Sequence, residues 1–333
     1  MGQFKRRHFL ISSGAMLVSR VASGQAPARK LGFLSLNPPP NAEENSRSVF
    51  LAKLKQRGWV EGQNLLIVRA YADLKRDRLP AMAEDLVRQR VEVIVAQGAE
   101  SAVAASRATT TIPIVFGFVA WPIEMGLIES YAKPGRNATG RSSYTGTEVS
   151  NKRHEFLREI APAAKRLSWI FTPDISRHVQ GGTYDVPVEP ETRKLGYEPK
   201  YHTVQKTEDL EAVFSEIVAF RAQALSVAGS AVLFSARQQI ADFALKNRLP
   251  SASIMSSFVE AGGLLSYSAA GEPSATLERI AEYADRILRG ARPADLPVER
   301  PSSYELVINL KTAKMLGLKI PPSVLLRADR VIE

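Results

Sequence analysis

From Arg29 onward, short apolar runs alternate with segments of helical periodicity, the pattern of βα units laid around parallel sheets. Residues 31–36 predict a first strand, ending in the loop Asn37-Pro38-Pro39-Pro40. A helix is expected over 43–57, stopped by Gly58, and a second strand over 65–68. Leu79, Met82, Ala83, Leu86 and Val87 then fall at i, i+3, i+4, i+7 and i+8, one apolar stripe bordered by Glu84, Asp85 and Arg88. Asp77 suits the N-cap of that helix. A third strand over 91–96 ends at Gln97-Gly98, a small-residue helix spans 100–109, and a fourth strand covers 112–116.

A second series starts near residue 147. It reads helix 148–160, strand 167–171, the loop Thr172-Pro173-Asp174, helix 188–195, strand 200–204, helix 209–220, strand 224–228, helix 233–247 and strand 252–254. Two successive runs of about 110–120 residues imply two similar lobes rather than one wide sheet. The C-terminal part departs from the alternation. Residues 262–267 are extended, and Leu277, Ile280, Ala281, Ala284, Ile287 and Leu288 form a helical stripe closed by Gly290. Pro293, Pro297 and Pro301 precede a strand over 305–308 and a helix over 310–316. A leftover helix and a leftover strand–helix pair suggest a chain that returns once to each lobe. The expected fold is therefore α/β: two Rossmann-like lobes with parallel sheets, joined by three crossovers near 139–145, 262–268 and 296–303. Lobe 1 would hold 29–141 and 268–296, and lobe 2 would hold 142–267 and 297–333.

Before this pattern begins, Lys5-Arg6-Arg7 stands directly ahead of a modest apolar stretch from Phe9 to Ala22, with Ala22-Ser23-Gly24 behind it. A charged start, an apolar middle and small residues at a cleavage site form the layout of an export signal over 1–25. Arg6-Arg7-x-Phe9-Leu10 is similar to the twin-arginine signal. The stretch is too short and polar to span a bilayer, which needs about 20 apolar residues. The expectation is an exported, periplasmic protein with a cleaved signal. Of the net charge of +10, this segment carries four cations and no acid, which leaves 40 basic against 34 acidic residues, +6. Those charges are interspersed, so a nucleic-acid partner is not expected. The chain has no cysteine. Disulfides, thiolate metal sites, thiol nucleophiles and a lipid-anchored thiol are all excluded together.

Catalytic patterns are missing. His8, His154, His178 and His202 form no H-E-x-x-H and no i, i+4 pair. There is no G-x-S-x-G elbow, no G-x-x-x-x-G-K-[ST] loop and no G-x-G-x-x-G after a strand. No metal or cofactor is expected. A Ser/His/acid site assembled from distant positions is not visible to motif reading, so an exported hydrolase stands as an alternative. The remaining candidates are the loops at the C-terminal ends of the strands, where open parallel sheets place ligands. In the first lobe these offer Ser35, Asn37, Gln97, Gly98, Ala99, Glu100, Ala120 and Trp121. In the second they offer Thr172, Asp174, Gly229, Ser230, Ser256 and Ser257. Hydroxyls, amides, two acids, a ring and helix N-termini suit reversible recognition rather than group transfer. Purely structural roles are open to them too: Ser35 and Ser256 as helix caps, Asp174 in an Asx turn, Trp121 in the core.

Several segments together resemble the substrate-binding proteins of bacterial ABC transporters, in the group related to proposed tryptophan and tyrosine uptake systems. They include Gly58-Trp59-Val60-Glu61-Gly62-Gln63-Asn64, Thr110-Thr111-Ile112-Pro113-Ile114-Val115-Phe116, Pro134-Gly135-Arg136-Asn137-Ala138-Thr139-Gly140 and Tyr304-Glu305-Leu306-Val307-Ile308-Asn309-Leu310-Lys311-Thr312-Ala313. The resemblance runs from about residue 30 to the end. It implies a periplasmic binding protein type I fold that captures a small molecule, an amino acid or another organic solute, by hinge closure between the lobes. An ABC permease in the inner membrane would be the partner of a monomeric binding protein; a sensory binding module without a permease would use the same lobes. Three departures touch the expected site. Relatives often show Gly-Thr-Pro at Gly98-Ala99-Glu100, Gly-Asp-Pro at Ala120-Trp121-Pro122, and Asp-Pro near Gly229-Ser230. An acid suited to a ligand ammonium is thus replaced at Trp121, whose ring is expected to pack on the ligand instead.

Overall fold

Leu31 and Leu34 of strand β1 (Arg29–Ser35) are both inaccessible to solvent, as a strand flanked by helices on both faces of its sheet requires. The computed structural model describes residues 27–41, 48–143, 147–172 and 189–333. Around β1 lie β2 (Leu65–Tyr71), β3 (Val93–Gln97), β4 (Ile114–Val119) and β5 (Ala138–Ser142). The sheet order is β2-β1-β3-β4-β5 and every pair is parallel. The helices Val49–Gln56, Leu79–Arg88 and Ala99–Ala108 connect these strands. The helix Ser274–Leu288 packs on the same sheet and on Val49–Gln56, although it is far away in sequence. Its buried Ile280, Ala281, Ala284 and Ile287 join Leu31, Phe50, Val93 and Val115 in one core. Trp59 fixes this return by donating from Nε1 to Asp285 Oδ1 at 2.8 Å.

The second sheet contains β6 (Arg166–Phe171), β7 (Glu198–Thr203), β8 (Ala224–Val227), β9 (Ser251–Ser253), β10 (Leu265–Ala269), β11 (Tyr304–Asn309) and β12 (Arg330–Ile332). Its order is β12-β11-β10-β9-β8-β6-β7, parallel except for the antiparallel pair β10–β11. That exception follows from connectivity. Between those two strands the chain leaves for the first lobe and returns, so no right-handed βα crossover dictates a parallel entry. The sequence pattern places the second crossing at 262–268, but β10 occupies 265–269 in the second sheet and the chain leaves it at 270–273. The helix expected over 233–247 is two, Ala231–Ser235 and Arg237–Lys246, broken at Ala236. A short helix Ser256–Glu260 and strand β12 escape the sequence pattern altogether. The export signal expected over 1–25 lies outside the described residues. Among the described residues no helix is long and apolar enough to cross a membrane.

The lobes meet along one rim. Asp73 and Leu74 both adopt left-handed backbone, φ 54° and 59°, which non-glycine residues avoid unless the surroundings enforce it. The Leu74 amide donates to the Leu36 carbonyl at 2.7 Å. The turn sends the Leu74 side chain against the cores of both lobes, and Ala231 of the second lobe packs reciprocally on the first.

Candidate functional site

In an open parallel sheet, a crevice forms at the C-terminal edge where strand order reverses, because the connecting helices there leave to opposite faces. The first sheet reverses between β1 and β3, and the second between β6 and β8. The chain ends of these strands carry Asn37, Gln97 and Gly98 in one lobe, and Thr172, Ala228, Gly229 and Ser230 in the other. They face one another across a cleft of about 770 Å³ lined by both lobes, within the roughly 300–1,000 Å³ common for small-molecule sites.

Most of the sequence candidates lie together on this cleft: Asn37, Gln97, Gly98, Ala99, Glu100, Thr172, Gly229, Ser230, Ser256 and Ser257. Ser35 does not. It is wholly buried beneath the lining, where its Oγ donates to Gln97 Oε1 at 3.1 Å and accepts from the Asn37 amide at 3.1 Å. Its hydroxyl therefore sets the orientation of two residues that do face the cleft. Ser230 caps the helix Ala231–Ser235 by accepting from the Leu233 amide, and its Oγ lies 2.8 Å from Thr172 Oγ1. Asp174 lies outside the described residues.

Ala120 and Trp121 are also absent from the lining, and the backbone explains why. The sequence pattern ends the fourth strand at Phe116, but β4 continues to Val119 through an irregularity against β5 between Phe116 and Val119. Phe118 takes a left-handed φ of 60° there. A bulge of this kind redirects side chains by one position, and it brings Phe118 onto the cleft. Ala120 is buried, with its carbonyl accepting from Ser142 Oγ, and Trp121 heads the turn in which its carbonyl accepts from the Met125 amide. The rings on the lining, among the described residues, are those of Phe33, Tyr71, Phe118 and Phe234. Nothing in the sequence marked Phe33, Phe234 or Arg237.

Charged groups on the lining are mostly paired within their own lobe. Arg69 forms a two-pronged ion pair with Glu61, including Nη2 to Oε2 at 2.7 Å, and this contact holds the Glu61 carboxyl below its usual range. Arg76 Nη2 lies 3.2 Å from Glu100 Oε1. Arg141 Nη1 lies 2.9 Å from Glu272 Oε1, which also accepts from Thr276 Oγ1 at 2.7 Å. That pair joins the first crossing to the second. Burial raises the Glu272 carboxyl, and its other oxygen is covered by protein, without a partner among the described residues.

One arrangement resembles a hydrolase relay. Ser168 Oγ lies 3.1 Å from His202 Nε2, and His202 Nδ1 lies 3.0 Å from Glu216 Oε2. The order matches nucleophile, base and orienting acid. Yet Ser168 is wholly buried within β6, between β7 and β8, and away from the cleft lining. The contact satisfies polar groups in the sheet interior, which burial requires. Among the described residues no group of three or more His, Asp or Glu side chains suits a metal ion.

This two-lobed geometry agrees with what comparison finds. The family model for ABC transporter substrate binding proteins matches residues 41–332. A tyrosine-binding protein of Clostridioides difficile (strain R20291) is 25% identical over 296 residues, covering 87% of this chain and 81% of that protein. The crystal structure of a conserved domain protein from Vibrio cholerae is 26% identical with a TM-score of 0.81, covering 91% of this chain and 99% of that one. An ABC domain from Streptococcus pneumonia in complex with L-Trp shares the fold at 22% identity and a TM-score of 0.79, covering 92% of this chain and all of that one.

Proposed function

The chain belongs to the ABC transporter substrate-binding protein family, and from that premise we propose that it is an exported, monomeric, diffusible protein that captures one small organic solute in the inter-lobe cleft and hands it to a membrane permease without altering it. The observation that carries this reading is the single cleft onto which both topological switch points open, lined by residues of both lobes. A solute bound there touches the two lobes together only when they are closed. Its differential affinity therefore shifts the open–closed equilibrium toward the closed form. The capture reading needs no cofactor and no proton transfer. It is supported by a lining of hydroxyls, amides and rings and by the burial of the Ser168–His202 pair, which denies a hydrolytic role its nucleophile.

The test is a thermal-shift screen of the purified mature protein against amino acids, aromatic and aliphatic acids, sugars and nucleosides. A true solute at 100 times its Kd stabilises the folded state by about 2.7 kcal/mol, and the same solute should reduce the radius of gyration in solution scattering. A solute recovered chemically changed after incubation would overturn the reading. So would a stabilising solute that leaves the scattering curve unaltered.

The bulge at Phe118 gives a sharper expectation. With any solute found in that screen, Phe118→Ala should weaken binding by about 10-fold or more, because truncating a buried aromatic contact costs upwards of about 1 kcal/mol. Trp121→Ala should leave the affinity within about twofold, as its ring is outside the lining. Titration calorimetry of both variants checks this, and the reverse ranking would restore Trp121 as the contact.

A further inference from the structure

Resting on the solute-capture reading above, we propose that the cleft takes an apolar carboxylate, an aromatic or aliphatic acid lacking an ammonium group, with Arg237 as its anchor.

Arg237 is the first residue of the helix Arg237–Lys246 and lines the cleft. Its guanidinium lies over the Phe234 ring, 4.5 Å from the centroid, and its Nη1 donates to the Phe234 carbonyl at 2.8 Å. Stacking fixes the plane of the group, and the hydrogen bond fixes its rotation within that plane. Nε and Nη2, adjacent on the opposite edge, donate to nothing among the described residues. A planar guanidinium edge held in this way matches the two oxygens of a carboxylate, and arginine makes such forked contacts where lysine cannot.

The other charges on the lining give the ligand's sign. Arg69 is held by Glu61, Glu100 by Arg76, and Glu272 by Arg141. A ligand ammonium could reach only Glu100, whose charge it would share with Arg76. The free oxygen of Glu272 is covered by protein, so it offers no alternative. What remains unmatched on the lining, among the described residues, is one positive charge. An anion entering there gains an unshared opposite charge, whereas the ammonium of a zwitterion is left with an acid already paired to an arginine.

The walls give the rest of the molecule. Phe33, Tyr71, Phe118, Ile254, Met255 and Leu277 line the same space, and a cavity of 770 Å³ equals the liquid volume of about 25 waters. A small acid such as acetate would leave most of that wall wet, so burial of apolar surface favours an acid with a substantial hydrocarbon part.

Three probes with one ring separate the possibilities: 3-(4-hydroxyphenyl)propanoate carries only the carboxylate, tyramine only the ammonium, and L-tyrosine both. Calorimetry on the purified mature protein should show the propanoate binding at least 10-fold tighter than tyrosine, and no heat from tyramine. Arg237→Gln should weaken the propanoate at least 10-fold while its unfolding curve stays close to that of the wild-type protein. Tyrosine or tyramine binding as tightly as the propanoate would overturn the proposal, as would an unchanged affinity in Arg237→Gln. If none of the three binds and the broader screen yields a solute without a carboxylate, the ligand class is wrong and solute capture stands. If no solute of any class binds, capture itself fails.

Discussion

Replacing Gly140 with alanine is expected to remove at least about 3 kcal/mol of folding stability. Gly140 pairs with Phe116 where β5 lies against β4, at a φ of 152°. A Cβ there would stand 1.9 Å from the Phe116 carbonyl oxygen and 2.8 Å from that residue's backbone carbon and nitrogen. Those atoms belong to a buried strand and cannot swing aside as the end of a flexible side chain would. The edge of the first sheet would have to open, just before the chain crosses to the second lobe and beside the bulge that presents Phe118. Gly62→Ala is the comparison, because Gly62 also has a positive φ, 80°, but its Cβ would meet nothing within 4 Å. That change should cost only about 1–2 kcal/mol from backbone conformation. Urea unfolding of both variants measures the difference. Equal losses would mean that the close approach of β5 to β4 is not what demands glycine at 140.

Acid should weaken the fold through two interior histidines. His154 is wholly buried, 4.6 Å edge-on from Trp169, with its Nε2 hydrogen-bonded to Ser226 Oγ at 2.9 Å. Nδ1 has no partner among the described residues, so a second ring proton would find no acceptor. Burial, reinforced by the neighbouring Arg153 charge, holds its pKa well below the ordinary 6.5. His202, against Ser168, Glu216 and Lys200, is also lowered by burial, with the Glu216 contact opposing. Both rings thus take up a proton in the unfolded chain more readily than in the folded one. Their contribution to stability is complete above about pH 6.5 and is lost as the pH falls below it. For His154 the loss cannot exceed about 1.4 kcal/mol for each pH unit below 6.5. Unfolding free energies at pH 7.5 and 5.0 should show that decline, and His154→Gln, less stable at neutral pH, should show less of it. A flat profile between the two pH values would contradict the assignment, as would an undiminished slope in the glutamine variant.

Gly140 and His154 mark the two sides of what was legible beforehand. Gly140 falls in the crossing that the strand–helix pattern places near 139–145, but the 1.9 Å approach that explains the glycine arises only when β4 and β5 pair. His154 stands in a helix read from its periodicity. Its burial against Trp169 depends on how that helix seats on the second sheet. In the cleft, the strand-end loops were visible because strand ends follow from apolar runs, and ten of the fourteen expected residues line the cavity. Ser35, Ala120 and Trp121 do not. Ser35 and Ala120 sit within two residues of a lining position and Trp121 within three, where a single bulge or turn decides which side chain points inward.

From its sequence alone this chain is a two-lobed α/β protein, since apolar periods of two and of 3.6 residues record which faces must leave water. The same sequence shows that cysteine chemistry is closed to it. Tertiary structure decided the rest: the antiparallel seat of β11, the left-handed turns at Leu74 and Phe118, and the arginine stacked on Phe234 with one edge free. These depend on contacts between residues distant in the chain or on one-residue irregularities. Hydrophobic periodicity carries no information about either, because it records burial and not the partner that provides it.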